Sequence, residues 1–139
     1  MENRQVNLTR VYQLSAAHYL KSPFLSEEEN KKTYGKCGQV AGHGHNYIIR
    51  VTVKGPIDAV TGMVTDVAEL DKIVRKYVID PLDHRNLNIE LSHLSILTTE
   101  MFIQEIWKRL KPHITQVELY SVEVDETRKN GFQYFGAGH

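Results

Sequence analysis

The 139-residue chain carries its one cysteine and two of its seven histidines within "YGKCGQVAGHGHNY", Tyr34 to Tyr47. His43 and His45 flank a single glycine, and Cys37 lies six positions before His43. A third histidine, His18, follows an alternating stretch in which Val6, Leu8, Tyr12, Leu14 and Ala16 share one face, broken only by Arg10. That alternation predicts a half-buried strand over residues 4–18, with His18 the next position on the apolar face. Tyr47, Ile49, Val51 and Val53 predict a second strand over residues 45–54, and His45 and His43 continue its apolar face. If the two strands pair antiparallel, the end of the first meets the start of the second, and three imidazoles converge at one corner. Three His ligands with an open fourth position make the catalytic type of zinc site. Such a metal acidifies a bound hydroxyl and polarises a carbonyl. Gly44 is expected to remove bulk between the two ligands and to permit close backbone approach.

Three roles are open to Cys37. As a fourth ligand it closes the site into a structural one. As a thiolate near the metal but off it, it is a base. As an inert thiol it does neither. Lys36 beside it, and a nearby dication, would favour the thiolate. The 24 residues from Tyr19 to Gly42 are long for a hairpin connection, and such loops in compact domains tend to carry function.

The composition bounds the setting. Lys plus Arg number 17 and Asp plus Glu 17, so the balanced charge argues against a general nucleic-acid binder. One cysteine cannot form an internal disulfide. The polar "MENRQVNLTR" lacks the apolar core of a signal peptide, and no run approaches the length that spans a bilayer. A cytoplasmic protein without membrane contact is expected, with residues 1–139 forming one domain.

The remaining elements must position the histidines. "DVAELDKIVRKYV" predicts a helix with Asp66 as N-cap, Glu69 completing a capping box, and an apolar stripe of Val67, Leu70, Ile73, Val74 and Tyr77. Pro81 is expected to end it, and "PLDHRNLN" and "IELSHLS" to be loop. A second helix is predicted after Thr98–Thr99, with Glu100 in its first turn, a core face of Phe102, Ile103, Ile106, Trp107 and Leu110, and Pro112 as its stop. Residues 117–126 predict a strand with Tyr120, Val122, Val124 and Glu126 on one face, followed by a "TRKNG" turn and a short last strand in "FQYFG". The expected fold is α+β: an antiparallel four-stranded sheet in the order ββααββ, with both helices on one face. Taken singly, Asp83–His84 is a loop pair, Glu126 a strand end and Thr98–Thr99 a helix cap. His93, His113 and His139 lack any partner pattern and are expected at the surface.

"SAAHYL", "LSEEENKKTYGKC", "GHGHNY", "VTVKGPID", "TGMVTD", "PLDHRNLN", "TTE" and "VDET" occur in this order from about Leu14 to Tyr134. Jointly they resemble the 6-pyruvoyl-tetrahydropterin synthase family. The resemblance implies the tunnelling fold, in which three subunits join their sheets into a barrel and two rings stack as a homohexamer. It implies zinc-dependent conversion of 7,8-dihydroneopterin triphosphate to 6-pyruvoyl-tetrahydropterin with elimination of triphosphate, in a tetrahydrobiopterin-type pathway. It further implies His18, His43 and His45 as zinc ligands, Cys37 as general base, and Asp83 and His84 as a proton relay beside it. Glu126 then anchors the pterin ring, and Thr98 and Thr99 line that pocket. The chain departs from the family's pattern at Tyr19, at "GQVAG" between Cys37 and His43, and at Met101, all expected on the pocket's rim.

Two other readings stand beside this one. The related 6-carboxy-tetrahydropterin synthases of queuosine biosynthesis use the same zinc and pterin but yield a carboxy product and acetaldehyde. That branch tends to have a shorter gap between its cysteine and HGH than the five residues here. A non-catalytic, zinc-stabilised binding module would instead use Cys37 as a fourth metal ligand and lack a pterin pocket.

Overall fold

The computed structural model describes residues 4–39 and 42–138; the side chain of His43 and all of His139 lie outside the described part. Strands β1 (Gln5–His18) and β2 (His43–Pro56) pair antiparallel along their whole length, from Gln5 opposite Pro56 to His18 opposite His43. The alternation read from the sequence is realised: Tyr12, Leu14, Ala16 and His18 are buried on one face of β1, and Tyr47, Ile49, Val51 and Val53 on the same face of β2. Arg10, the break in the pattern, turns its guanidinium onto Asp71, with Nε and Nη2 donating at 3.1 and 2.7 Å. The Tyr12 hydroxyl donates to the same carboxylate at 2.7 Å.

The connection between these strands folds on itself. Helix α1 (Glu27–Tyr34) begins with a capping box in which Ser26 and Glu29 satisfy each other's backbone N–H. The buried Asn30 side chain accepts from the Ser22 N–H and donates to the Ser22, Leu25 and Ser26 carbonyls. A short 3₁₀ turn, Gly35–Gly38, carries Cys37 and ties back to the end of β1 through Leu20 N–H donating to the Cys37 carbonyl at 2.6 Å.

Asp66 caps α2 (Val67–Val74), accepting from the Ala68 and Glu69 N–H groups. The helix does not stop before Pro81. It continues through a wider π turn, Arg75–Ile79, into α3 (Asp80–Leu82), which contains the proline. An interior proline leaves the carbonyl four residues earlier without its donor and crowds it. Here that carbonyl belongs to Tyr77, and it accepts from Arg109 Nη1 at 3.2 Å. Arg109 is in turn held by the buried Glu105, 2.9 Å from its Nε. A tertiary partner thus replaces the missing intrahelical bond.

Two segments expected as loop are structured. Residues Arg85–Asn86 form β3, which pairs parallel to β1 at Ala16 and Ala17, and Leu87–Glu90 form α4, capped by the Asn86 side chain. Two-residue strands have no periodicity to read. Thr98 caps α5 (Thr99–Leu110), whose Phe102, Ile103, Ile106 and Leu110 are buried against the sheet. β4 (Glu118–Asp125) pairs with β2, and β5 (Gly131–Tyr134) pairs with β4 through the expected hairpin.

The expected four-stranded antiparallel sheet is therefore a mixed, five-stranded one in the order β3-β1-β2-β4-β5 among the described residues. A bulge in β4 also corrects the predicted face. Thr52 pairs with Ser121 and Val53 with Leu119, so Tyr120 is the extra residue, and Leu119 takes the core position expected for Tyr120. Tyr120 instead packs edge-on against Phe135, with Lys54 Nζ over its ring. The core lies between α2, α5 and one sheet face. The opposite face carries polar pairs, including Thr9 with Thr52 and Arg50 with Asp125.

Candidate functional site

Antiparallel pairing brings the end of β1, the start of β2 and the end of β4 to one end of the sheet, and the N-terminus of α5 packs beside them. The last β4 pair is Ile48 with Asp125, so Glu126 lies one step further, level with Tyr47. Its backbone N–H donates to the Asn130 carbonyl at 3.0 Å, which closes the turn after the strand.

His18 is 2 % exposed. Its Nδ1 lies 2.7 Å from the Leu97 carbonyl oxygen, in the segment leading into α5. A carbonyl only accepts, so Nδ1 carries a proton; in the neutral ring Nε2 then carries the lone pair, the form a metal ligand needs. The His45 ring stands edge-on to His18, with centroids 5.2 Å apart. His45 Nε2 is 3.9 Å from Glu126 Oε1. Ligand atoms of His18, His45 and Glu126 all lie within 4.8 Å of one another, close enough to share one ion. Two imidazoles, one with its tautomer set by a backbone carbonyl, and a carboxylate are a donor set that fits a divalent cation. His43 enters through its backbone, opposite His18.

The glycine that permits this corner is Gly42, not Gly44. Gly42 has φ 66°, and a Cβ there would sit 2.5 Å from the His18 carbonyl oxygen, whereas at Gly44 it would make an ordinary 3.9 Å contact. A side chain at residue 42 would push the His43 end of β2 away from His18.

Beneath the cluster, the Thr99 hydroxyl donates to Glu126 Oε2. Thr99 is 2 % exposed, and its neighbour Thr98 is spent on the cap, accepting from the Met101 N–H at 3.3 Å. The two threonines expected to line one pocket thus have separate work. Tyr47 forms the floor, fully buried, its ring 5.5 Å from that of His45 and 5.4 Å from Phe102. Its hydroxyl has no hydrogen-bond partner among the described residues. Burial raises the phenol's pKa strongly and the Glu126 charge adds to this, while the Thr99 hydroxyl acts in the opposite direction. Tyr47 is the residue of this site that the sequence reading took for core alone. Its hydroxyl, on a strand face otherwise aliphatic and next to the histidines, was the available signal.

Asp83 and His84 lie at the other edge of β1. Asp83 accepts from the Ser15 N–H at 2.9 Å through Oδ1, and its Oδ2 is 3.0 Å from His84 Nδ1. The Ser15 N–H holds the Asp83 carboxyl below its ordinary range against the opposing effect of burial, and His84 adds to it. His84 adopts φ 60°, unusual for a non-glycine residue, and its N–H donates to the Ser15 carbonyl at 2.5 Å. Its side chain is 80 % exposed, and with His45 it lines a cavity of about 410 Å³ formed by the ends of β1 and β2 and by β3. Cys37, partly buried on the 3₁₀ turn, is a free thiol on a separate element. Of the histidines expected at the surface, His93 pairs with Glu105 at 3.0 Å and His113 stacks on Tyr77 with centroids 3.7 Å apart.

No helix in the described part is long and apolar enough to cross a membrane. The sequence pattern of the 6-pyruvoyl tetrahydropterin synthase family matches residues 7–137. The chain is 42 % identical to the human 6-pyruvoyl tetrahydrobiopterin synthase over 134 residues, 95 % of this chain and 92 % of that one. It is likewise 42 % identical to the enzyme of that name from Poecilia reticulata over 131 residues, 93 % of this chain and 89 % of that one. The solved structure of the Caenorhabditis elegans 6-pyruvoyl tetrahydropterin synthase superimposes with a TM-score of 0.92 at 39 % identity, covering 99 % of each chain. Matched along almost its whole length in sequence and in fold, the chain belongs to the 6-pyruvoyl tetrahydropterin synthase family.

Proposed function

We propose that this chain converts 7,8-dihydroneopterin triphosphate to 6-pyruvoyl-tetrahydropterin with elimination of triphosphate, as a zinc-dependent lyase of tetrahydrobiopterin-type biosynthesis. The observation that carries the reading is the convergence of His18, His45 and Glu126 at one end of the sheet, in a chain of this family. In this reading His18, His43 and His45 hold the zinc, and Glu126 faces the pterin. When bound, zinc makes the C–H beside a coordinated hydroxyl or carbonyl more acidic. The Thr99 hydroxyl donates to Oε2 of Glu126, and Oε1 faces His45. A pterin edge presents an amino group and a ring N–H together, and a carboxylate accepts both.

In this reading Cys37, on its loop and off the strand face that carries the histidines, takes a proton from the substrate side chain. Asp83 accepts from Ser15 on one oxygen and lies 3.0 Å from His84 Nδ1 with the other, a pairing that supports His84 as the group that returns a proton. Assembly as a homohexamer, a dimer of trimers, fits the polar sheet face opposite the helices and the short edge strands β3 and β5. Incubation with 7,8-dihydroneopterin triphosphate and zinc should release triphosphate and the pyruvoyl product. Acetaldehyde with a carboxy product would instead assign the chain to the queuosine branch, and absence of turnover in a zinc-loaded protein would leave the binding module.

A further inference from the structure

A triphosphate is a polyanion, and the chain is neutral overall, with 17 basic and 17 acidic residues. Its subsite therefore needs cations gathered locally and not already spent on carboxylates. Arg10, Arg50, Arg85 and Arg109 are each paired with a carboxylate. Lys21 and Lys31 make no ion pair among the described residues. These two lysines line one cavity of about 550 Å³. Its wall also includes Gly35 and Gly38, the two ends of the 3₁₀ turn that carries Cys37. Glu27 is the one carboxylate among the described lining residues, so the cations outnumber it.

The two lysines are ten positions apart, and one buried side chain fixes their separation. Asn30, 8 % exposed, accepts from the Ser22 N–H at 2.8 Å and donates to the Ser22 carbonyl at 3.0 Å. Lys21 immediately precedes Ser22, and Lys31 immediately follows Asn30, so this pair of hydrogen bonds sets the spacing of the two lysine backbones. The Leu20 N–H, donated to the Cys37 carbonyl at 2.6 Å, ties the same rim to the turn. Lys21 is three positions beyond His18. The cavity thus borders both the metal corner's strand end and the element that carries the thiol.

We propose that this cavity is the subsite for the substrate's triphosphate, with Lys21 and Lys31 as its cations and Asn30 as the residue that fixes their spacing. The inference rests on the pterin reading and adds to it the anchor of the leaving group. In that reading the triphosphate hangs from the side-chain carbon next to those that bear the hydroxyls, so it has to lie beside the group that takes the proton. The turn carrying Cys37 forms that wall. An ammonium group neutralises phosphate oxygens as a point charge, without the fixed fork of a guanidinium. That suits a flexible chain of phosphates that must leave after the reaction. A backbone already spaced for two cations spends less on ordering them when the anion binds.

The test measures steady-state KM for 7,8-dihydroneopterin triphosphate, and fluorescence titration with 7,8-dihydroneopterin, which has no phosphate, on the zinc-loaded protein. Lys21→Gln and Lys31→Gln should each raise KM by about tenfold. Affinity for 7,8-dihydroneopterin, zinc content and melting temperature should stay as in wild type. Lys32→Gln removes the same charge from the same helix, outside the cavity, and should leave KM unchanged. Added salt should raise the KM of wild type more than that of the double variant Lys21→Gln with Lys31→Gln. An unchanged KM in either lysine variant, an equal rise in Lys32→Gln, or an equal loss of 7,8-dihydroneopterin affinity would overturn the proposal. A wild type that binds no 7,8-dihydroneopterin and releases no triphosphate would reject the pterin reading itself, and the subsite with it.

Discussion

His18 Nδ1 donates to the carbonyl of Leu97, 79 residues away in sequence and 2.7 Å away in space. That one bond joins the end of β1 to the entry of α5 and sets which nitrogen of His18 can reach a metal. The ring is buried and its tautomer is fixed by the backbone, the form a metal ligand needs.

Replacing His18 or His43 by Ala should abolish bound zinc and activity together. Metal analysis after extensive dialysis checks this, with far-ultraviolet circular dichroism to show that the sheet persists. Full zinc in either variant would remove that residue from the ligand set.

Glu126 has two possible partners, since its Oε1 approaches His45 Nε2 at 3.9 Å while its Oε2 is bound by Thr99. Glu126→Gln keeps the shape and the Thr99 contact but weakens acceptance of two donors. Zinc content should stay whole while pterin affinity falls by about tenfold to a hundredfold. Loss of zinc with intact pterin binding would make Glu126 a metal ligand.

Cys37→Ala should leave zinc and melting temperature unchanged and lower turnover by about a hundredfold to ten-thousandfold. The thiol sits on the 3₁₀ turn Gly35–Gly38, and the strand face holds the imidazoles. A variant that loses zinc and melts lower would show sulfur in the metal's shell.

Acid should unfold the protein along a predictable limb. The Arg10 guanidinium holds the Asp71 carboxyl below its ordinary range, and the Ser15 N–H does the same for Asp83. At Glu105 burial acts upward, but hydrogen bonds from His93 and Arg109 outweigh it and leave the carboxyl depressed. A carboxylate with a depressed pKa in the fold contributes stability above its unfolded pKa of about 4, and loses it as pH falls through the folded value. The melting temperature should therefore change little from neutrality down to about pH 5 and drop steeply below about pH 4. Glu105→Gln should melt lower at neutral pH and show a shallower acid limb. A limb unchanged in slope would mean that Glu105 titrates normally.

The strands, their apolar faces and the helix caps were legible because each depends on residues near in sequence. Alternation alone places Tyr12, Leu14, Ala16 and His18 on one face, and Asp66 and Thr98 cap their helices through bonds to residues two or three positions ahead. Antiparallel pairing then follows from the hairpin, and with it the meeting of His18 and His43. What the sequence could not show depends on partners far along the chain. Pro81 stays inside a helix because Arg109 supplies the donor that Tyr77 loses. Tyr120 leaves the core because a bulge against β2 adds one residue to β4, and a single extra residue reverses every face beyond it. Glu126 meets Thr99, and Tyr47 lies beside both, only because α5 packs its first turn over the end of the sheet. Local periodicity determines which side of an element is apolar. Which polar atoms meet at its end is decided by packing between elements, where a shift of one residue or one ångström makes or breaks the bond.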